Sequence, residues 1–375
     1  MFCEGDMALI INYPPPAPTE PLSFARIRRL SRPLEWLFAA LFGAAFVAGC
    51  AQDDSATGGS GADGADGLTK VRFALDWTPN TNHTGLYVAQ NKGYFEDAGL
   101  DVEILPYNDS NPDVIVDSGQ ADFGVSFQDA ATISMAAGAN VRSVMAVEQT
   151  WATAVSVLAD RDDIQSPKDL DGMTYGGFGT PADQAVMAGV IKAAGGKGEF
   201  DNVTLNTNAY EALYSRDVDF TVPYLAWEGI EAEDRGVELK HYNYTDYGFP
   251  DCYQVIILGN NDWLAAHPDE AKAFVQALQR GYEDAVEDPD GAAEILQQEN
   301  ADLLTDVEFL KRSQRILSKD YMLDADGKFG HQTEQQWAEL GKFLYDNGLL
   351  VDASDTPLST EPDWSTYFTD EYVAD

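Results

Sequence analysis

The sequence predicts a two-lobed α/β protein, each lobe a mostly parallel sheet flanked by helices. Three observations lead there. Short apolar runs alternate with amphipathic segments, as in βαβ units around a parallel sheet. The alternation restarts near residue 166, so it describes two sheets rather than one. The part that reads as folded is also long: 375 residues less a leader of 49 leaves 326, which suits two domains of ordinary size.

The leader comes first. Arg26, Arg28, Arg29 and Arg32 form a basic region, an apolar stretch follows over 34–47, and Ala48 and Gly49 lead to Cys50. That order is a secretory signal ending in a lipobox, so residues 1–49 are expected to be removed and Cys50 to carry a diacylglyceryl group. The alternative is a transmembrane anchor, but the apolar run, interrupted by Glu35, is short against the roughly 20 residues that a spanning helix needs. Residues 1–19, with three prolines at 14–16, read as an overlong N-terminal extension of the signal or a misplaced start. After Cys50, the stretch 51–67 (AQDDSATGGSGADGADG) has no apolar periodicity. It reads as a flexible tether reaching roughly 20–25 Å.

Folded sequence begins near Leu68. Residues 71–77 read as a strand, 83–91 as a helix, 100–105 as a strand, 112–118 as a helix and 121–126 as a third strand. A helix over 128–137 and a strand over 143–149 close this first unit. The second opens with a helix start at 166–170, a strand over 173–177 and a helix over 182–194. A strand at 203–205, a helix around 209–216 and a strand over 220–223 follow, and a further strand is expected over 254–259. The rest is helical. Pro268 stands at a first helical position, with Asp269 and Glu270 supplying the negative charge that a helix N-terminus favours. Phe274, Ala277, Leu278 and Tyr282 recur on one face of that helix. Helical period continues over 308–318 and 334–345. This layout puts lobe 1 at 68–150 plus 251–375, with lobe 2 inserted at 151–250.

Composition excludes some partners. The net charge is −40, and the leader's four Arg balance its four Asp and Glu, so the whole excess belongs to the remainder. Such a surface repels nucleic acid and anionic headgroups. Cys3 lies in the leader and Cys50 would carry lipid, which leaves Cys252 alone, with no intramolecular disulfide and no cysteine metal cluster expected. Histidines at 83, 241, 267 and 331 show no metal-ligand spacing.

Two segments carry recognition chemistry. A strand ends at Asp76 and Trp77, Pro79 stops it, and a helix begins near His83. Ligands of open α/β sheets bind outside the carboxyl ends of strands, where such a turn sits. Trp77 would offer a flat face to an aromatic ring, and Asn80 and His83 polar edges. Equally, Trp77 could be core and Asn82 a helix cap. In the second segment, PYLAWE (223–228), a strand ends in Tyr224, Trp227 and Glu228, setting a carboxylate beside aromatic faces. A carboxylate can pair with a ring nitrogen and its neighbouring exocyclic amine together. Against that, Glu228 could simply cap a helix beginning at Gly229.

The turn YGGFGTP (175–181) could offer backbone amides to a carbonyl or an anion, with Phe178 lining the cleft, or it could be only a tight turn. It lacks the Gly-Lys-Ser/Thr of a P-loop. Gln128 and Asp129, Trp151 at the hinge, and residues 247–251 are weaker cleft candidates. The stretch 324–327 has the look of a calcium loop but lacks the glutamate at its twelfth position and reads as a turn.

Residues 73–95 (FALDWTPNTNHTGLYVAQNKGYF) resemble the opening of the thiamin-pyrimidine precursor family, which joins bacterial ThiY-like binding proteins to fungal pyrimidine synthases. SGQADFGV (118–125) and WEGIE (227–231) match in kind and order, and the resemblance covers roughly 68–350. It implies the type II periplasmic binding protein fold, with a ligand cleft between the lobes. It also implies site roles for Trp77 and His83, and a ligand-pairing role for Glu228.

The synthases of that family are enzymes that donate their own histidine and hold pyridoxal phosphate on a lysine. Along 122–130 the lysine position falls on Ser126 and the histidine position on Ala130, and of a cysteine-rich run only Cys252 remains. Without the amine there is no Schiff base. No catalytic residue and no cofactor are therefore expected. The chain reads as the extracytoplasmic solute-binding lipoprotein of an ABC importer, held at the cell membrane by Cys50 alone. Its expected partners are a permease with its ATPase and a small heterocycle, and it is expected to be monomeric. Thiamin-precursor pyrimidines of formylamino or hydroxymethyl type come first as ligands. Riboflavin comes second, which the aromatics Trp77, Trp151, Tyr224 and Trp227 would also suit. Sulfonate or nitrate is third, because 73–91 and 223–231 contain no Arg or Lys. A receptor that feeds a sensor rather than a permease is the remaining class.

Overall fold

In the computed structural model the described residues are 67–375, apart from 109, 180, 181 and 207, and they belong to one compact unit, Gly59–Asp375. The expected leader, the lipidated Cys50 and the tether up to residue 66 lie outside the described residues. The described strands are β1 (Thr69–Ala74), β2 (Leu100–Leu105), β3 (Phe123–Ser126), β4 (Val141–Ala146), β5 (Val155–Leu158), β6 (Thr174–Gly177), β7 (Asp201–Thr204), β8 (Leu239–Tyr242) and β9 (Ile256–Asn260). The described helices are α1 (Thr84–Asn91), α2 (Tyr94–Asp97), α3 (Pro112–Asp117), α4 (Gln128–Ala136), α5 (Asp183–Ala193), α6 (Asn208–Tyr214), α7 (Glu228–Asp234), α8 (Asn261–Ala266), α9 (Pro268–Glu287), α10 (Pro289–Glu299), α11 (Val307–Asp320) and α12 (Glu334–Asp346).

The larger lobe is built on a five-stranded sheet of order β2-β1-β3-β9-β4. β1 runs parallel to β2 and β3, while β9 runs antiparallel to both β3 and β4. The carboxyl ends of β1, β3 and β4 therefore open on one edge of the sheet, and β9 enters from that same edge. Buried aromatic rings bind the sheet to the long helix α9: Phe274 stacks on Phe123 at 4.2 Å and on Phe95 at 5.4 Å between centroids. The apolar face read from the sequence, Phe274, Ala277, Leu278 and Tyr282, is all buried. Each such large apolar side chain contributes about 1.5–3 kcal/mol by leaving water. α9 begins at Pro268, where proline's missing N–H costs nothing.

The smaller lobe differs from the expected parallel sheet. β6 and β7 pair in parallel, but β5 and β8 pair antiparallel, because they are the outgoing and returning ends of the same excursion. Neither β5 nor β8 was anticipated. The strand expected over 220–223 makes only isolated bridges, Ser156 with Thr221 and Tyr175 with Phe220. This lobe has its own core, with Val155, Val157, Ile164, Leu170, Tyr175, Val190 and Phe220 all fully buried. The expected turn at 324–327 is one, closed by the Gly327 N–H to Asp324 O and by Asp324 Oδ1 accepting from the N–H groups of Asp326 and Lys328.

Two chain crossings link the lobes, and side chains tie them together. Trp151 Nε1–H donates to Pro250 O at 2.8 Å, and Thr150 Oγ1–H donates to the Asp251 carboxylate at 2.7 Å. Farther out, α11 of the larger lobe meets α7 of the smaller. Arg312 bonds Asp234 Oδ1 at 2.5 Å and Glu233 Oε2 at 2.9 Å, and Phe309 takes the edge of Trp227 at 4.8 Å.

Candidate functional site

The segment from Tyr224 to Glu228 is tied to the first crossing by the Leu225 N–H, which donates to Ala152 O at 3.0 Å, and Tyr224 lies within electrostatic reach of Asp76 and Glu148 at the sheet's open edge. After β1 the chain delivers Asp76, and the following turn folds His83 back onto it. The His83 ring is fully buried, and its Nδ1 accepts from the Asn80 N–H at 3.3 Å. Its Nε2 therefore carries the proton and donates to Asp76 Oδ1 at 2.7 Å. Asn80 caps the same turn, its Oδ1 accepting from the Asn82 N–H at 2.9 Å. So Asn80, rather than Asn82, is the cap. The ring nitrogens of His83 are both engaged within the turn, where Nε2 holds Asp76.

Trp77, next in the chain, is 48% exposed and tilts against Tyr107 at 5.1 Å. It stands at the rim as an open aromatic face rather than in the core. From the other lobe, Tyr224, Trp227 and Glu228 are half-buried. Glu228 is the first residue of α7, and its Oε2 accepts from the Tyr224 N–H at 3.0 Å, which ties the loop to the helix start. The capping and site readings of this residue are thus compatible, since Oε1 is outside that bond. Burial raises the Glu228 carboxyl to about 7, aided by the charge of Glu231.

Sequence reasoning missed Glu148. It follows β4 inside an apolar run, and it is fully buried with no hydrogen-bond partner on either carboxyl oxygen. Its backbone is fixed: the N–H groups of Val147 and Glu148 both donate to Val255 O, at 2.8 and 3.1 Å. Burial, then the negative charge of Asp76, raises the Glu148 carboxyl to about 8. The Tyr224 phenol lies among these groups. Burial, with the charges of Glu148, Asp76, Asp129 and Glu228, pushes it well above its ordinary value. The signal available in the sequence was a lone acid in an otherwise apolar strand end, MAVEQ (145–149).

Other expected residues have their polar groups committed within the protein. Gln128 is fully buried, its Oε1 accepting from the Tyr253 N–H at 2.7 Å and its Nε2 donating to Gln336 O at 3.1 Å. It holds α4 to the crossing and to α12. Trp151, bonded to Pro250 O and edge-on to Tyr244 at 4.7 Å, pins the hinge. In the glycine-rich turn the N–H groups of Phe178 and Gly179 both donate to Asp183 Oδ2, at 2.7 and 3.0 Å. Those amides, which could serve a carbonyl or an anion or only a tight turn, are taken by the protein's own carboxylate, while the Phe178 ring is half-buried beside Tyr210. Ser126 donates from Oγ to Asp113 Oδ1 at 2.6 Å in the interior, and Cys252 is buried as a free thiol.

A family profile described as NMT1/THI5 like matches residues 80–292. The formylaminopyrimidine-binding protein of Halalkalibacterium halodurans is 32% identical over 317 residues, covering 82% of this chain and 91% of that protein. A 4-amino-5-hydroxymethyl-2-methylpyrimidine phosphate synthase of Saccharomyces cerevisiae is 26% identical over 236 residues, covering 59% of this chain and 68% of that one. Among solved structures, the alkanesulfonate-binding protein of Xanthomonas axonopodis pv. citri gives a TM-score of 0.60 at 15% identity, covering 80% of this chain and 98% of that one. At that identity the likeness speaks to fold alone.

Proposed function

We propose, from the premise that this chain belongs to the NMT1/THI5-like family, that it is the solute-binding component of an ABC importer and captures a thiamin-precursor aminopyrimidine. Its fold is that of the two-lobed type II periplasmic binding proteins. The observation that carries the reading is the meeting of aromatic faces and carboxyl groups at the lobe junction. Tyr224, Trp227 and Glu228 come from one lobe, Asp76 and Glu148 from the other, and the Asp76 charge acts on both Glu148 and Tyr224. A flat ring bearing an exocyclic amine suits such a place, stacking on the aromatics while Glu228 Oε1 accepts from the amine. A sulfonate would bring negative charge to a cluster of acids, and the segments 73–91 and 223–231 supply no Arg or Lys against it. The formylaminopyrimidine-binding relative supports the same ligand class.

The residues support binding without turnover. Where the resemblance to the synthases requires a lysine amine, Ser126 is buried and bonded to Asp113. The protein acts outside the cytoplasm, with 1–49 removed and Cys50 lipidated. It serves as a monomer, delivering ligand to a permease and its ATPase. Lobe 1 comprises 68–150 and 251–375, and lobe 2 comprises 151–250. Trp77 and Trp227 make tryptophan fluorescence the direct test. Titration of the full chain with formylaminopyrimidine and with 4-amino-5-hydroxymethyl-2-methylpyrimidine is expected to quench saturably, and riboflavin in parallel is not. Saturable quenching by riboflavin alone would reassign the ligand to the flavins.

A further inference from the structure

We propose that Glu148 is a second ligand-reading group, pairing through both carboxyl oxygens with the ring-nitrogen and amine edge of the heterocycle, an assignment that rests on the function proposed above. The geometry points there. Glu148 is fully buried, yet neither oxygen has a hydrogen-bond partner in the protein. A buried carboxyl left unsatisfied costs stability, and native interiors rarely keep one without use. Its place is the junction itself. It follows β4 at the edge where β1 and β3 also end, and Asp76 from β1 and Tyr224 from the facing lobe lie within its electrostatic reach. Tyr282 of α9, whose hydroxyl donates to Asn82 O, and Tyr321 after α11 also lie within that reach. The backbone bonds of Val147 and Glu148 to Val255 O fix where the side chain starts.

The chemistry commits the pairing. A protonated carboxyl has one O–H donor and one carbonyl acceptor side by side. An N=C–NH₂ edge has the complementary acceptor and donor, so the two close a ring of two hydrogen bonds. Burial and the neighbouring Asp76 charge keep the Glu148 proton in place near neutral pH. Glu228, with Oε2 already accepting from Tyr224, is left to take the amine's other proton through Oε1.

The test is a cycle of two protein variants against two probes on the full chain. The probes are 4-amino-5-hydroxymethyl-2-methylpyrimidine and its analogue lacking the 4-amino group, each titrated calorimetrically. Glu148→Leu is expected to weaken the amino probe at least ~10-fold while changing the deamino analogue less than ~3-fold, because only the amino probe loses the paired edge. Glu148→Gln keeps a donor and an acceptor in the same positions and is expected to bind the amino probe within ~3-fold of the wild type. Equal weakening of both probes by Glu148→Leu, or no weakening at all, overturns the assignment. So does loss of the amino probe in a folded Glu148→Gln variant, which also decides the matter if the leucine variant does not fold. A wild-type protein that binds neither pyrimidine overturns the proposed ligand class, and this pairing with it. That outcome is distinct, because it is read before any variant.

Discussion

Glu148 and Glu228 hold protons at pH values where an exposed glutamate is ionised, and their burial sets a sign for stability. With its carboxyl raised to about 8, native Glu148 binds a proton that the unfolded chain has released above its ordinary value of 4.5. Between those two values the native state binds more protons than the unfolded one, so stability falls as pH rises and the loss is complete above about 8. The full effect is on the order of 4–5 kcal/mol from the shift alone. Urea unfolding at pH 5.5 and 8.5 is expected to show this loss in the wild type and a smaller one in Glu148→Gln. Equal losses in both would remove Glu148 as the source. Glu228, raised to about 7, adds a slope of the same sign that the variant retains. The sequence offered Tyr224, Trp227 and Glu228 as candidates because aromatics and an acid stand together within one short stretch. Glu148 was not legible, because Asp76, Tyr224 and Tyr282, which surround it, come from distant parts of the chain and only the fold assembles them. His83 was open for a related reason: a histidine at a strand end offers two nitrogens, and no spacing rule tells that Asn80 and Asp76 engage both.

At the level of elements, the contact of α1 with α9 holds the Asp76 turn against the core. Two glycines make it possible. A Cβ on Gly85 would collide with the Tyr282 ring, and one on Gly281 would collide with the Gly85 carbonyl oxygen. The obstacle at Gly281 is backbone, which cannot rotate away. Gly281→Ala is therefore expected to destabilise the protein by about 2–3 kcal/mol, despite alanine's better helix propensity. Chemical denaturation would register it as a lower midpoint at unchanged slope, whereas a neutral or higher midpoint would show that the helices can part. Helices were the most legible elements. α9, α11 and α12 repeat their apolar residues over several turns, and the start of α9 is marked by Pro268. β5 and β8 are four residues each, and β8 reads Leu-Lys-His-Tyr, too short and too polar to stand out. Their pairing is a product of the two crossings lying side by side, which no local window contains.

For the molecule as a whole, the lobes are joined by contacts of unequal strength. The crossings are pinned by the half-buried bonds of Trp151 and Thr150, whereas the outer contact between α11 and α7 joins the edge contact of Phe309 with Trp227 to ion pairs of Arg312 with the exposed Glu233 and Asp234. Exposed pairs of this kind are worth about 0–1 kcal/mol and weaken with salt. Arg312→Ala is accordingly expected to change ligand affinity less than ~5-fold, measured by the same calorimetry. A loss of ~100-fold would mean the pair carries closure itself. Ion pairs this weak add little to keeping the empty protein shut, and on the proposed function a bound ring that satisfies Glu148 and Glu228 would supply the rest. On that reading the shut form is a report of occupancy. Whatever surface reads it downstream can count full carriers without being blocked by empty ones, even when empty copies are in large excess.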